Sequence, residues 1–300
     1  MVAALALLGA VHGAVLLAGF LAPYDPAEQD RRHPYAPPGV AGCEPGPCPV
    51  RWFVRDAAGR PRLFAVDAPA RIFVLGSDQY GRDQLARLLH GGRVSLAAGL
   101  LAAALSLGLG WIAGAVAGYR GGWLDAVLMR ASEFFVALPW LYLLFAVRAF
   151  LPLEVPPETA LLLIAAIIGL AGWARPARLV RGVVLSAKER GYVLAARGFG
   201  ASHFHILRRH VLPQTVGVAL TQAALLVPQY VLAEVTLSFL GLGVGEPVAS
   251  WGNMLAALAQ YHVLVSYWWM VLPGVAMVPV FLGYLSLAGA VIESRDSIGL

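Results

Sequence analysis

The chain has few charged residues and a single lysine. Charged side chains make up 13% of its 300 residues, and Lys188 is the only lysine. Because Glu189 follows Lys188, the phosphate-binding pattern G-x-x-x-x-G-K-[ST] is absent. The scarcity of charge argues against one soluble domain, and the missing pattern argues against an ATP-binding loop of this type. If ATP drives this protein, another chain binds it, so we expect no cofactor here.

Cysteine is nearly absent as well. Cys43 and Cys48 are the two cysteines, separated by Glu-Pro-Gly-Pro, in a segment that the topology below places outside the cytoplasm. A small disulfide loop is favoured there, and two free thiols are the alternative. A structural zinc site needs four ligands, and the two thiols have no histidine or further cysteine nearby, so we expect no metal.

Catalytic motifs are also missing. The sequence contains no G-x-S-x-G nucleophile elbow. His203, His205 and His210 lie in an arginine-flanked stretch without a cluster of carboxylates or thiols, which favours surface histidines over a metal site. We therefore expect a chain that is not an enzyme.

Apolar residues dominate what is present. They make up 59% of the chain, and the mean hydropathy is +0.71. A helix of about 20 apolar residues is long enough to cross a bilayer. The sequence predicts an all-α polytopic membrane protein with six transmembrane helices, at residues 2–22, 94–118, 126–150, 159–173, 216–242 and 267–292. A cleaved signal peptide is the alternative for the first run, but that run lacks a basic n-region and a clear A-x-A site.

The distribution of basic residues predicts the orientation. Residues 174–213 contain eight arginines or lysines and one acid, whereas the links after the third and fifth runs contain Glu154, Glu158 and Glu246 and no basic residue. The positive-inside rule then places the loop at 174–213 in the cytoplasm, the segment at 23–93 outside, and both termini inside. The net charge of +5 is explained by this loop, so no nucleic-acid partner is expected.

The predicted organisation has four parts. A first transmembrane helix at 1–22 is followed by an extracytoplasmic segment at 23–93, a transmembrane domain at 94–293 and a cytoplasmic tail at 294–300. Within the outer segment, residues 51–55 and 62–66 flank the turn-forming stretch 56–61, which indicates a β-hairpin. Pro273 and Pro279 are expected to bend the last helix.

Motifs along nearly the whole chain resemble one family. In order along the sequence they are Gly76-Ser-Asp-Gln-Tyr-Gly-Arg-Asp83 with Arg87 and Arg93-Val-Ser-Leu96, Gly118-Tyr-Arg-Gly-Gly-Trp-Leu-Asp125, Ala137-Leu-Pro139, Glu234-Val-Thr-Leu-Ser-Phe-Leu-Gly-Leu-Gly243 and Ser250-Trp-Gly-Asn253. This set resembles the second permease subunit of dipeptide and oligopeptide ABC importers. The stretch from Ala41 to about Arg71 matches least, so the hairpin and the cysteines are interpreted as a subgroup insertion.

The resemblance implies a type I ABC importer permease fold in the bacterial inner membrane. The subunit would pair with a homologous permease, two ATP-binding subunits and an extracytoplasmic substrate-binding protein, and would form the pathway for di- or oligopeptides. Nickel chelates, glutathione and sugar oligomers are alternative cargos, because importers of those compounds share this permease type. A secondary transporter is the alternative from another class, and it would work as a single chain.

The resemblance also implies a docking site for an ATPase subunit in the basic loop. Ala195, Ala196 and Gly200, followed by Leu212 and Pro213, are similar to the EAA loop of ABC importer permeases. Leu194 and His210 stand where that loop usually has Glu and Ile. A short helix at about 192–199, ended by Gly200, would enter a cleft of the ATPase. The residues assigned to this contact are Tyr192, Leu194, Ala195, Ala196, Arg197, Gly200, Ala201, His210, Leu212 and Pro213.

Polar residues inside the predicted helices have two interpretations. Glu234, with Ser238 one turn later, either lines the translocation pathway or forms a hydrogen bond that fixes helix packing. Arg130 and Glu133 are three residues apart and are expected to pair. Arg148, near the outer end of its helix, is expected to extend to the headgroups.

Overall fold

The computed structural model describes residues 1–43, 48–56, 58–150, 152 and 155–298, with side chains as far as Glu293. Glu154, used above for the orientation, and residues 299–300 of the predicted tail lie outside the described residues. The helices are α1 (Val2–Leu16), α2 (Ala18–Leu21), α3 (Gln84–Arg120), α4 (Gly122–Ala137), α5 (Trp140–Ala149), α6 (Pro157–Gly172), α7 (Ala174–Lys188), α8 (Gly191–Gly198), α9 (His203–Ile206), α10 (Leu212–Phe239), α11 (Trp251–Ala256), α12 (Tyr261–Ser266) and α13 (Leu272–Ile298).

Within the described ranges, three helices are individually long and apolar enough to cross a membrane. They cover Gln84–Arg120, His203–Phe239 and Trp268–Glu293. The pairs α4 with α5 and α6 with α7 meet the same criterion only when each bent pair is taken together, and α1 is shorter. Every predicted apolar run therefore contains a helix, and the mostly helical, multi-span class of the prediction is confirmed.

The continuous helix predicted at 126–150 is wrong. The chain bends by 92° between α4 and α5, at Leu138 and Pro139. Proline has no backbone N–H and disfavours the helical conformation of the residue before it, so the helix ends at Ala137. The motif Ala137-Leu-Pro139 thus marks a corner in the chain.

The prediction of a loop from residue 174 is also wrong in its first half. α7 continues from α6 after a 43° bend at Trp173. Its buried residues recur at helical spacing on one face, although arginines fill the opposite face. These buried residues are Ala174, Pro176, Ala177, Val180, Val184 and Ala187.

The long helix α3 begins ten residues before the predicted boundary at 93/94. Asp83 caps its N-terminus by accepting a hydrogen bond from the backbone N–H of Ala86 at 2.7 Å. With 37 residues, α3 is about 55 Å long. Its first turns therefore extend beyond the bilayer core, into the segment that was predicted to lie outside the membrane.

α3 packs closely on α7 along a stripe of glycines. Gly110 lies against Trp173 and Pro176, Gly114 against Ala177 and Val180, and Gly118 against Arg181 and Val184. The residue numbers of these contacting positions rise together along both helices, so α3 and α7 run in the same direction. α10 runs the opposite way, since Gly99 contacts Val231 and Trp111 donates a hydrogen bond to Thr215. These directions agree with the alternation expected of successive spans.

Gly114 offers a direct test of this packing. A Cβ atom there would lie 2.3 Å from the backbone oxygen of Ala177, whereas a Cβ at Gly108 of the same helix meets nothing within 4 Å. Gly108→Ala is expected to stabilise α3 by about 0.5–1 kcal/mol through helix propensity. Gly114→Ala is expected to destabilise the chain by about 1–3 kcal/mol through overpacking. Thermal unfolding in one detergent compares them, and equal shifts would contradict the close α3–α7 contact.

The outer segment contains the predicted hairpin and a second strand pair. Strands β2 (Arg51–Arg55) and β3 (Pro61–Ala65) pair antiparallel, which confirms the hairpin, and β1 (Gly39–Ala41) pairs with β4 (Arg71–Phe73). Arg62 is 5% exposed and donates to the carbonyl oxygens of Gly19 and Ala22 at 3.0 Å. The hairpin is thereby attached to the end of α2.

The structure joins Cys43 and Cys48 by a disulfide, with 5.7 Å between the Cα atoms. Residues 44–47, between the two cysteines, lie outside the described residues. We predict that protein isolated from an oxidising compartment contains this bond, because an inward-facing segment would be kept reduced. Mass spectrometry of alkylated, non-reduced peptides measures it, with a reduced sample as the control. Two freely alkylated thiols would contradict the prediction.

Candidate functional site

The chain between α7 and α10 forms a compact surface, here called the docking surface and defined as residues 191–213. It consists of α8, α9, a π-helical turn at Leu207–Val211 and the first turn of α10. Val193, Ile206 and Val211 are buried and pack with Val180 and Val184 of α7. The docking surface is therefore packed onto the helix bundle through α7.

The predicted coupling residues divide into two groups. Tyr192, Leu194, Ala195, Arg197, Gly200 and Pro213 are exposed, whereas Ala196, Ala201, His210 and Leu212 are partly buried. Ala196, Ala201 and Leu212 pack against the buried cluster. Of the two alanines in the motif, only Ala195 therefore faces outward.

Gly200 ends the short helix as predicted. Its φ angle is +80°, and a Cβ atom would meet nothing within 4 Å. Glycine adopts this left-handed conformation without strain, so it is suited to the turn that redirects the chain after α8. The observed helix α8, Gly191–Gly198, agrees with the one predicted at 192–199.

Two aromatic side chains on the docking surface were not predicted. Phe199 is 92% exposed and Phe204 is 70% exposed. Exposed aromatic residues of this kind are typical anchors of protein interfaces. The signal was present in the sequence, since both phenylalanines lie among arginines and histidines where no bilayer would cover them.

A basic hollow lies beside Phe204. It encloses about 720 Å³ and is lined by Ser202, Phe204, His205, Arg208, Arg209 and Pro213. The histidines do not converge as ligands would: His203 is near the Tyr119 hydroxyl, and the rings of His205 and His210 are 5.8 Å apart. The hollow presents positive charge and one aromatic face, which suits an acidic partner surface.

At the opposite end of α3 lies a second concavity, here called the outer cavity. Its volume is about 350 Å³, and residues from three separate motifs line it, including Asp78, Arg82, Arg87, Ser238 and Asn253. The capping box of Ser250 and Asn253 starts α11 at its edge, and Trp251 donates its indole N–H to the Leu88 carbonyl at 2.9 Å. The motifs therefore converge in space although they are far apart in the sequence.

Charged side chains form a closed network in this cavity. Arg87 is 1% exposed and donates to Glu246 Oε1 at 2.9 Å, while Arg82 donates to Glu246 Oε2 at 2.5 Å and to Asp78 Oδ2 at 2.6 Å. Burial raises the pKa of Glu246, but Arg87 and Arg82 outweigh it and hold that pKa below its ordinary value. Glu246 is thus ionised at neutral pH and ties the α10–α11 loop to α3.

Glu234 is fully buried and Ser238 is 3% exposed. Ser238 Oγ donates to Glu234 Oε1 at 2.6 Å, and Oε2 has no hydrogen-bond partner within the described part of the chain. These contacts are the ones expected of the packing interpretation, although Ser238 also borders the outer cavity. Pathway lining by the two residues stays a prediction.

The remaining polar residues have different outcomes. Arg130 and Glu133 form the predicted ion pair at 3.0 Å on an exposed face. The prediction for Arg148 is wrong: its side chain is 1% exposed and donates to the carbonyl oxygens of Leu242 and Pro152. Arg148 therefore closes the junction between α5 and the loop after α10 instead of reaching the headgroups.

The motif residue Asp125 forms a further ion pair, with Arg181. Asp125 accepts two hydrogen bonds from Arg181, at 2.5 and 2.6 Å, and so links the first turn of α4 to α7. A bidentate pair of this geometry fixes orientation as well as distance. The turn Gly121-Gly122 that precedes it has positive φ at both glycines.

Comparison with known proteins identifies the family. Residues 106–295 match the family described as binding-protein-dependent transport system inner membrane component. The chain is 40% identical over 194 residues to the dipeptide transport system permease protein DppC of Bacillus subtilis (strain 168), covering 65% of this chain and 58% of that one.

Two oligopeptide transport system permease proteins named OppC are also similar. The one from Bacillus subtilis (strain 168) is 38% identical over 203 residues, covering 66% of this chain and 65% of the relative. The one from Haemophilus influenzae (strain ATCC 51907 / DSM 11121 / KW20 / Rd) is 37% identical over 198 residues, covering 66% and 61%. The matched stretch is thus less than two thirds of the length of each of these relatives. With most of its own length matched, the chain belongs to the family of binding-protein-dependent transport system inner membrane components.

Proposed function

We propose that this chain is one permease subunit of a peptide-importing ABC transporter. It forms half of the translocation pathway and pairs with a homologous permease. The complete transporter also contains two ATPase subunits and an extracytoplasmic binding protein that delivers peptides. Catalysis and ATP binding reside on the ATPase subunits. The names of the matched relatives, which are dipeptide and oligopeptide permeases, support peptides over nickel chelates, glutathione or sugar oligomers.

The docking surface is the observation that carries this proposal. A bundle of membrane helices has no need of an exposed helix with outward tyrosine, leucine and phenylalanine side chains. Such a surface is suited to a protein partner, and its basic border to an acidic one. A secondary transporter, which works without an ATPase, would not require it.

The proposed topology has six spans with both termini in the cytoplasm of a bacterial inner membrane. The spans are α1 with α2, α3, α4 with α5, α6 with α7, α10, and α13. The parallel run of α3 and α7 and the opposite run of α10 support the alternation. In this topology the docking surface is cytoplasmic and the outer cavity lies on the extracytoplasmic side.

Co-purification tests the proposal. The chain, expressed with its transport partners, should be recovered with an ATPase whose hydrolysis rises when a peptide-loaded binding protein is added. The ATPase expressed without this chain is the control. Recovery of the chain alone, with peptide uptake that requires no ATP, would establish the secondary-transporter alternative instead.

Cysteine labelling distinguishes the two interpretations of Glu234. In a Cys43→Ser, Cys48→Ser background, we predict that Glu234→Cys reacts with a water-soluble thiol reagent in one nucleotide state and resists it in another. Alternating access exposes the pathway to one side at a time, which is the physical reason. Leu232→Cys, on an apolar face that is 49% exposed, is the control and should not react because lipid covers it. Resistance at position 234 in every nucleotide state would identify Glu234 as a packing residue.

A further inference from the structure

The hairpin β2–β3 carries exposed aromatic side chains that the rest of the fold does not require. Trp52 is 64% exposed and Phe53 is 76% exposed. Phe53 has a φ angle of +54°, a conformation that residues other than glycine seldom adopt. The pairing register includes Trp52 and Val54 but not Phe53. Phe53 is therefore turned away from the strand pair and its ring projects outward.

The level of the hairpin relative to the bilayer follows from two arginines. Arg93 of α3 donates to the carbonyl oxygens of Val15 and Leu16, at the break between α1 and α2. Arg62 of the hairpin donates to those of Gly19 and Ala22, at the end of α2. Because guanidinium groups avoid the hydrocarbon core, the outer end of the first span, from Leu16 to Ala22, approaches the boundary between that core and the headgroups.

Phe53 lies at this same level. Phe20, which is between the two sets of arginine contacts, has its ring centroid 6.4 Å from that of Phe53. The Trp52 ring is 6.0 Å from Phe64 on the neighbouring strand. Aromatic residues of membrane proteins are enriched at this depth, where an apolar ring meets lipid and a polar edge meets water.

The hairpin is also basic. Residues 51–65 contain four arginines and one aspartate, a net charge of +3. Asp56 pairs with Arg60 and Arg62, and Arg51 pairs with Asp67 outside the hairpin. Arg55 donates to the Gly59 carbonyl, and no carboxylate among the described residues pairs with it. Arg55 is thus free to meet an anionic group beside the exposed rings.

We propose that the hairpin is an interfacial membrane anchor that inserts Trp52 and Phe53 among the headgroups of the outer leaflet and attracts anionic lipid through Arg55. The occupant of this surface is the bilayer in which α1 and α2 are already embedded. Phe53 lies beside Phe20, near the outer end of the first span. This role is independent of the cargo, and the hairpin precedes the family match, which begins at residue 106.

Lipid quenching tests the anchor on the full chain. A fluorophore is attached to Phe53→Cys in a Cys43→Ser, Cys48→Ser background and reconstituted in phosphatidylcholine vesicles with and without phosphatidylglycerol. Headgroup-spin-labelled lipid should quench it, and more strongly with phosphatidylglycerol present. The same fluorophore at Gln79→Cys, an exposed position of the outer segment, is the control and should stay unquenched. Arg55→Gln should reduce the extra quenching that phosphatidylglycerol causes by about fivefold, the effect of one arginine near a charged surface.

A second measurement leaves Phe53 unmodified. Trypsin should cut the wild-type chain after Arg51 more slowly in anionic vesicles than in neutral ones. Arg55→Gln should abolish that difference, and Phe53→Ser should speed the cut in vesicles of both kinds. Phe53 is exposed, so this variant retains its fold. Quenching at position 53 no greater than at position 79 would overturn the proposal. Shielding that appears only when the extracytoplasmic binding protein is added would overturn it as well, and would show that the hairpin is a protein-docking element.

Discussion

Ala195→Glu is expected to abolish peptide-stimulated ATP hydrolysis while the chain stays in the membrane. Ala195 is exposed on α8, so a carboxylate there does not disturb the fold but would be trapped without a partner when the ATPase docks. An uncompensated charge in a docked interface costs about 2–5 kcal/mol, which is enough to prevent assembly at ordinary concentrations. Substrate-stimulated ATPase activity of the reconstituted transporter measures the effect.

The matched control is Ser186→Glu, which adds the same charge at an exposed position of α7 outside the docking surface. It should leave ATPase activity unchanged. A charge at Ala196 is a less direct test, because Ala196 packs against the chain's own buried cluster. Gly200→Trp should also prevent coupling. Gly200→Ala is its control, because any side chain at this position costs about 1–2 kcal/mol of backbone strain whatever its size. Normal stimulation in both Ala195→Glu and Gly200→Trp would refute the docking surface.

The second large effect is expected at the outer cavity. Arg87→Leu should destabilise the chain by about 1–3 kcal/mol, because it takes one of two arginine partners from Asp78, which is buried, and from Glu246, whose side chain is 45% exposed. Arg130→Leu also removes an arginine from an arginine–glutamate pair, but the Arg130 side chain is 84% exposed, whereas that of Arg87 is 2% exposed. Its expected effect is at most about 1 kcal/mol.

Thermal unfolding of the three proteins in one detergent gives the comparison. The wild-type and Arg130→Leu curves should nearly coincide, and the Arg87→Leu curve should lie well below them. Similar curves for the two variants would show that the network of Arg82, Arg87, Asp78 and Glu246 contributes no more than an exposed ion pair.

Local sequence patterns were sufficient for the positions of most helices. Apolar composition is a property of consecutive residues, so each predicted run contains a helix. The corner at Leu138 and Pro139 was missed because the run was judged by length, although the proline was visible. α7 was missed because its arginines were counted for orientation, while its buried face at Ala177, Val180 and Val184 repeats at helical spacing.

In the candidate site too, local sequence patterns predicted local structure but not contacts between distant residues. The short helix α8 and the turn at Gly200 follow from local sequence, and both were predicted in place. The contacts of Glu246 with Arg82 and Arg87 join residues 164 and 159 positions apart, and no local pattern carries such a pairing. The inward orientation of Ala196 likewise depends on its packing near α7, and the sequence analysis had interpreted α7 as part of a loop.

The length of α3 as one uninterrupted helix has a mechanical consequence. Its N-terminal end carries Arg87 and borders the outer cavity, and Tyr119 near its C-terminal end donates to the His203 carbonyl of the docking surface at 3.0 Å. A rod about 55 Å long that pivots near its middle displaces its two ends in opposite directions, by about 0.5 Å for each degree of tilt. If an ATPase binds the docking surface as proposed, a rotation imposed there is delivered to the far face with its sign reversed, so that one side of the membrane narrows as the other widens.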